Sequence, residues 1–107
     1  MPIVGQGEGV WSFVHIEDAA LAPVAALTAP PGIYNVVDDD PSPVSSWLPA
    51  FARWVGAPPP PRLTEQEARE VAGEDAVYDG TQLSGASNDK ATQTFNFTPR
   101  RLPWLHQ

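Results

Sequence analysis

The 107-residue sequence contains no cysteine, which excludes disulfide bonds, thiolate metal sites and a cysteine nucleophile. Basic residues are also scarce: 6 of them face 13 acidic residues, and the formal net charge is −7. This balance disfavours nucleic acid and anionic membrane surfaces as partners. No apolar run approaches the roughly 18 residues of a membrane-spanning helix, and no secretory signal stands at the N-terminus. We therefore expect a cytoplasmic protein without nucleic-acid or membrane partners.

Proline and aromatic residues are both abundant. The chain has 13 prolines together with 4 Trp, 4 Phe and 2 Tyr, and this proline content is about twice the usual ~5%. Because disordered chains are poor in aromatic residues, the combination favours a folded chain with stiff connections. The length allows one domain at most, so we predict a single domain over 1–107. A proline-rich internal linker, 56–63, is expected within it.

The first forty residues carry the pattern of a strand, a helix and a second strand. Val10–Ile16 is rich in β-branched and aromatic residues, and both of its faces are largely apolar, which predicts a covered strand. Asp18 is a good N-cap for a helix over Ala19–Leu27 that is apolar all round and therefore expected to be buried. Ile33–Val37 is predicted as a second buried strand. A strand, helix and strand with short connections are typical of a right-handed parallel crossover.

One apolar stripe marks a helix in the middle of the chain. Ser46 is predicted to cap this helix, which runs to about Val55, and Pro49 would lie in its first turn. Gly56 suits the left-handed position that follows a helix. The stripe consists of Trp47, Leu48, Phe51, Trp54 and Val55.

Three further helices are predicted after the proline run. Thr64 and Glu67 match a capping box, which predicts a polar helix over 65–72 with Leu63 packing onto Ala68. Shorter helices are expected around 75–83 and over 88–94, the second capped by Ser87. The predicted fold class is therefore α/β, as a small α+β fragment. It has a short parallel strand pair with a crossover helix and three to four further helices.

The sequence offers few arrangements that could carry chemistry. The glycines of Gly5–Gly9 are spaced G-x-G-x-G and precede a strand, so they do not match a dinucleotide fingerprint, and a flexible loop is expected. Asp38–Asp40 lacks the spacing of a calcium loop and is interpreted as turn and cap residues. No G-x-S-x-G nucleophile elbow is present. His15, followed by two acids, is expected to hold a neighbouring loop by hydrogen bonds, and a hydrolase built on it is the weakest alternative.

Arginine supplies nearly all of the positive groups that could bind an anionic ligand. Arg62 follows the proline run, and Arg100 and Arg101 follow the last helix. A guanidinium can hold a carboxylate or phosphate in a bidentate manner. Solvated surface positions are the simpler interpretation of all three. His106 is expected to point into solvent from the C-terminal tail.

Three segments in the right order resemble the extended short-chain dehydrogenases/reductases, the NAD-dependent epimerase/dehydratase proteins. Trp11–Ala20 (WSFVHIEDAA) is similar to their x-x-[FY]-[VI]-H-[VI]-x-D-x-A segment. Gly32–Val36 (GIYNV) resembles the strand that follows it, and Ala86–Ala91 (ASNDKA) resembles their A-S-x-x-K-A helix start. In the family that helix leads into Leu-Gly-Trp-x-Pro, where this sequence has Phe95–Pro99 (FNFTP). The resemblance is to the C-terminal third of such an enzyme.

This resemblance implies a substrate-binding region separated from its Rossmann domain. The family's G-x-x-G-x-x-G loop and Tyr-x-x-x-Lys pair are missing from the sequence. No catalytic residue, metal or cofactor site is therefore assigned to this chain, although a full-length relative would use NAD(P). Trp11 stands where nucleotide-sugar epimerases of the family commonly have an Arg that meets the substrate diphosphate. The resemblance thus favours a smaller or more apolar substrate, with Trp11, His15 and Arg62 as candidate substrate-binding residues.

An interaction module that kept the fold without the chemistry is the alternative. The apolar strand expected over 10–16 would ordinarily pack on the Rossmann domain. If it were exposed, it would present an unpaired strand edge and an apolar face, and both favour association with another chain. We therefore predict self-association through the surface that would face a Rossmann domain, with the small-molecule substrate unknown.

Overall fold

A computed structural model describes residues 1–105, and the prediction for His106 lies outside them. Their contacts group into two compact units. The first unit contains residues 1–11, 42–85 and 103–105, and the second contains residues 12–41 and 86–102. The elements, in chain order, are β1 (Ile3–Val4), β2 (Val10–Trp11), α1 (Ile16–Ala26), β3 (Ser42–Pro43), α2 (Val44–Val55), β4 (Arg62–Leu63), α3 (Glu65–Ala72), α4 (Glu74–Thr81) and α5 (Asp89–Phe95).

Two short strand pairs organise the first unit. β1 pairs with β4 in parallel, with Ile3 opposite Arg62. β2 pairs with β3 in antiparallel orientation, with Trp11 opposite Ser42. The segment between β1 and β2 is tightly packed at Gly9, whose N–H donates to the Gly80 carbonyl at 3.0 Å. A Cβ at Gly9 would lie 2.4 Å from the Asp79 carbonyl oxygen, so a side chain has no room there.

The helices of the first unit follow their local signals closely. Gly56 ends α2 with φ 76°, and its N–H returns to the Ala52 carbonyl. Thr64 and Glu67 form the predicted capping box of α3, and both of its hydrogen bonds are present. Leu63 packs against the buried cluster of Val4, Ala68 and Val77. The capping box, the helix over 65–72 and the packing of Leu63 are thereby confirmed.

α2 begins three residues earlier than its pattern predicted. Its N-terminal flanking residue is Pro43, which has no side-chain cap, and Val44 is the first helical residue. Ser46 is therefore not the cap, and Pro49 lies inside the helix. A proline at this depth cannot donate the intrahelical hydrogen bond of its turn. Residues 57–61, within the expected linker, form neither helix nor strand and lead from α2 to β4.

The second unit is built from α1, α5 and the segments beside them. Its buried cluster is Ala22, Ala91 and Phe97, with Tyr34 among the half-buried residues that pack against it. Asn96 ends α5 in the left-handed conformation with φ 55°. Asn88 rather than Ser87 flanks α5 at its start, although the Ser87 hydroxyl accepts a hydrogen bond from the Asp89 N–H at 3.2 Å.

Four expectations for the first forty residues are wrong. The strand over Val10–Ile16 is limited to Val10–Trp11, the two residues that pair with β3, and Ile16 already begins α1. Ile33–Val37 forms no strand, and Ile33 is 87% exposed. α1 is capped by His15 instead of Asp18, and it is not a buried helix, since only Asp18 and Ala22 are buried within it.

The predicted fold class is confirmed despite these local errors. The described residues form a small α+β structure with five helices, one short parallel strand pair and one antiparallel pair. The parallel pair joins β1 and β4 rather than the two strands expected from the pattern. The single-domain assignment stays a prediction. Within residues 1–105, no helix is long and apolar enough to cross a membrane.

Candidate functional site

Trp11 is anchored in the first unit by its indole ring. The indole N–H donates to the Asp79 carbonyl at 2.8 Å, and the ring centroid lies 5.1 Å from that of Trp47. Trp47 is also in edge contact with Trp104 at 5.9 Å. Trp11 lines a cavity of about 170 Å³ together with Met1, Val4 and three alanines of α3 and α4. This volume lies below the 300–1,000 Å³ typical of small-molecule sites, so the cavity could hold only part of a ligand.

His15 has a structural task at the start of α1. Its Nδ1 accepts a hydrogen bond from the Glu17 N–H at 3.1 Å, which satisfies one of the unpaired donors of the first helical turn. An accepting Nδ1 carries no proton, so the cap requires the neutral ring with its hydrogen on Nε2. His15 belongs to the second unit, whereas Trp11 belongs to the first.

Arg62 lies on β4 with an exposed side chain. The backbone on either side of it is fixed: the Pro61 carbonyl accepts from the Ile3 N–H and the Leu63 carbonyl from the Gly5 N–H, both at 2.8 Å. Arg62 and Trp11 therefore belong to the first unit, whereas His15 belongs to the second. The role of these three residues in binding substrate stays a prediction.

Arg100 binds acids of its own chain. Its backbone N–H donates to Asp18 Oδ2 at 2.8 Å, its Nε donates to Asp18 Oδ1 at 3.0 Å, and its Nη1 donates to Glu17 Oε2 at 2.6 Å. The hydrogen bond that the Arg100 guanidinium donates to Glu17 raises its pKa above the ordinary value, and the one that it donates to Asp18 adds to this. Arg100 thus links the C-terminal segment to the first turn of α1. Because its guanidinium already pairs with two carboxylates of the chain, it is not available to bind an anionic ligand.

A buried carboxylate is the most unusual polar group of the second unit. The Asp38 side chain is 2% exposed, and neither carboxylate oxygen makes a hydrogen bond of ordinary geometry. Burial raises the pKa of Asp38, and the negative charges of Asp40 and Asp39 add to this; the nearby backbone N–H groups of Phe13 and Asp40 oppose it. The acid is therefore biased towards its neutral form.

The aspartates that follow Asp38 have different environments. Asp39 Oδ1 accepts a hydrogen bond from the Asn88 amide at 2.7 Å, and the same amide donates to the Val37 carbonyl at 2.9 Å. This holds the loop to the start of α5, as expected of turn residues. Within residues 1–105, no group of three or more acidic or histidine side chains is arranged to hold a metal ion.

An apolar groove of about 440 Å³ runs along α2. Phe51 and Val55 from the exposed side of α2 form one wall, and the proline run Pro58–Pro61 forms the other. The stiff backbone of consecutive prolines keeps this wall in place. Sequence patterns identified the helical stripe and the proline run separately, but the pairing of the two depends on the turn at Gly56.

Comparison with known proteins gives a curated relative but no family assignment. No family model matches the chain. A 3-diazoavenalumate denitrifying reductase from a Streptomyces species is 38% identical over 105 residues, covering 97% of this chain and 34% of the reductase. The chain therefore spans about a third of the length of the curated relative it matches.

Two solved structures share the fold. A conserved protein of unknown function from Silicibacter pomeroyi DSS has a TM-score of 0.75 and 22% identity, covering 99% of this chain and 38% of that chain. UDP-glucuronic acid 4-epimerase from Bacillus cereus, in complex with NAD, has a TM-score of 0.59 and 17% identity, covering 94% and 29% respectively. The chain is similar to part of a reductase. Its fold is also that of part of an NAD-bound epimerase.

Proposed function

We propose that this chain is the substrate-binding portion of an oxidoreductase resembling the NAD-dependent epimerases and dehydratases. The observation that carries the proposal is the 38% identity to a reductase, which extends over 97% of the chain but covers only 34% of the reductase. The fold shared with an NAD-bound epimerase supports the same assignment. Under this proposal, the part of the enzyme that this chain represents binds the substrate, and another part binds the cofactor.

The chain does not transfer hydride alone under this proposal. Such chemistry in the resembling family needs a tyrosine paired with a lysine four residues later, and the only lysine here is Lys90. Lys90 Nζ lies over the Tyr34 ring, 4.7 Å from its centroid. The Tyr34 hydroxyl instead donates to the Pro30 carbonyl at 2.6 Å. This geometry differs from the sequential Tyr-x-x-x-Lys arrangement.

The proposed substrate is smaller or more apolar than a nucleotide sugar. Trp11 occupies the position at which the resembling epimerases commonly place a diphosphate-binding Arg. Its indole N–H donates to the Asp79 carbonyl and its ring packs against Trp47. Trp11 can therefore offer a ligand an apolar surface but no charge. The named substrate of the similar reductase, 3-diazoavenalumate, is the first ligand to test.

Calorimetric titration of the purified 107-residue protein tests this proposal in three arms. NADH is expected to give no saturable heat of binding, because no G-x-x-G-x-x-G loop is present to hold its pyrophosphate. 3-Diazoavenalumate is expected to bind, whereas UDP-glucuronic acid is expected not to bind. Tight binding of NADH would contradict the assignment of the cofactor to another part of the enzyme. A preference for the UDP-sugar would contradict the apolar substrate.

A self-associating interaction module is the second candidate. The observation that favours it is the exposed apolar surface of α1, on which Leu21 is 59% and Val24 is 65% exposed. Large contiguous apolar patches are uncommon on soluble monomers and mark interaction surfaces. This candidate requires neither cofactor nor substrate, so the oligomeric state of the protein tests it separately.

A further inference from the structure

A second pocket, in the second unit, has the features of a ligand site. It has a volume of about 360 Å³, within the range of small-molecule sites. Its lining includes Pro23 and Ala26 of α1, Gly32, Tyr34, Val36 and Phe95. No charged side chain lines it, so the walls favour an apolar body.

Two aromatic rings give the pocket a defined wall. The Tyr34 and Phe95 rings are in edge contact, with centroids 5.2 Å apart. The Tyr34 hydroxyl is held by the Pro30 carbonyl, which limits rotation of the ring out of the wall. An aromatic ligand can add a third ring to this pair, since offset and edge contacts between rings are favourable.

A single positive charge lies beside this apolar wall. Lys90 Nζ is 4.7 Å from the centroid of the Tyr34 ring. No carboxylate of the described residues lies within ion-pair distance of Lys90, although the chain has 13 acidic residues. A lysine without an acidic partner in so acidic a chain is available to a ligand's anion.

Gly32 leaves the approach to this charge open. A Cβ built at Gly32 would lie 2.9 Å from Lys90 Nζ and 3.8 Å from the Tyr34 ring. Gly32 is not among the glycines with positive φ, so its backbone does not itself demand glycine. The absence of a side chain at Gly32 leaves room beside the ammonium, which stands at the end of the flexible Lys90 side chain.

We propose that this pocket binds an aromatic monocarboxylate, with its ring against Tyr34 and Phe95 and its carboxylate on Lys90. The site belongs to the second unit and requires neither Trp11 nor a nicotinamide cofactor. 3-Diazoavenalumate is itself an aromatic carboxylate, so the inference deepens the proposed function and rests on it for the ligand class; the Lys90 variant tests this pocket separately from binding at Trp11. A charge-assisted hydrogen bond selects the carboxylate over a neutral ligand of the same shape.

Binding of 3-phenylpropionate and of its neutral amide, 3-phenylpropanamide, tests the proposal. Followed by amide chemical shifts of the labelled 107-residue protein, the acid is expected to bind about tenfold more tightly than the amide. Lys90→Met is expected to remove this preference while leaving the affinity for the amide unchanged. Arg53→Gln removes one positive charge from an exposed side chain in the other unit and is expected to change neither affinity.

Two further variants locate the binding in this pocket. Ala26→Leu fills the pocket and is expected to abolish binding of both ligands, whereas Val71→Leu, at an exposed position of the other unit, is expected to leave both unchanged. Circular dichroism checks that each variant is folded, and Lys90 is exposed, so its replacement creates no cavity. Equal affinity for acid and amide, an unchanged preference in Lys90→Met, or no saturable binding of the acid would overturn the proposal.

Discussion

At the scale of single residues, Asp38 shows a conflict between burial and charge. Asp38 is 2% exposed, and two further aspartates, Asp39 and Asp40, follow it in sequence. Burial raises its pKa above 3.8, and the charges of Asp40 and Asp39 act in the same direction. The folded state therefore holds the Asp38 proton more tightly than the unfolded state does.

The pH dependence of stability follows from the direction of this shift. The contribution of protonated Asp38 is complete below its unfolded pKa, and it is lost as the pH rises through the raised folded pKa. Asp38→Asn stays neutral at every pH, so its stability relative to the wild type should increase from acidic to neutral pH. Urea unfolding of both proteins between about pH 4 and pH 7 measures this difference.

The control for Asp38→Asn is Glu8→Gln, which makes the same change of charge on an exposed side chain. A constant cost of placing an amide in the buried position would shift the Asp38→Asn curve without changing its slope against pH. The slope is therefore the informative quantity. A stability difference that stays flat or decreases with rising pH would contradict a raised pKa at Asp38.

At the scale of elements, the helix ends with local hydrogen-bonding signals were the most predictable. α3 runs over 65–72 as expected, because the Thr64 hydroxyl accepts from the Glu67 N–H at 3.1 Å. Glu67 Oε1 completes the box by accepting from the Thr64 N–H at 3.2 Å. Gly56 ended α2 as predicted for a similarly local reason. These signals need only residues within one turn of each other.

Thr64→Ala should lower the free energy of unfolding by about 1 kcal/mol, the usual effect of removing an N-cap hydroxyl. Thr64 is exposed, so the change creates no cavity that could account for the loss. Thr64→Ser keeps the hydroxyl and is the matched control, expected to retain most of the stability. Chemical denaturation at neutral pH measures all three proteins, and equal loss in the alanine and serine variants would speak against the cap.

At the scale of the whole molecule, what could not be predicted depends on distant partners. The apolar run over 10–16 is strand only where β3 supplies a partner, and it then gives way to α1 because the His15 side chain caps that helix. The burial of Asp38 and the pairing of the Pro58–Pro61 run with Phe51 likewise join segments that no periodicity relates. Among the candidate site residues, Trp11 could be recognised from the sequence as an apolar surface. The hydrogen bond from its indole N–H to the Asp79 carbonyl could not be predicted.

The surface of α1 is where the whole molecule differs most from expectation. An apolar helix was expected to be buried, yet Leu21 and Val24 are exposed. The hydrophobic effect favours covering such a surface, and a second copy of the chain can do so in solution. The proposed self-association is therefore assigned to α1 rather than to the strand expected over 10–16.

Sedimentation of wild type and two charge variants tests this assignment. Wild type is expected to sediment faster than a monomer as its concentration rises, and Val24→Glu on α1 is expected to remain monomeric because each interface would bury two uncompensated carboxylates. Val71→Glu is the matched control, because it makes the same substitution at a valine of α3 that is 74% exposed. A monomeric wild type at every concentration would rule out self-association. Equal dissociation of the two variants would point to added net charge, not the α1 surface, as the cause.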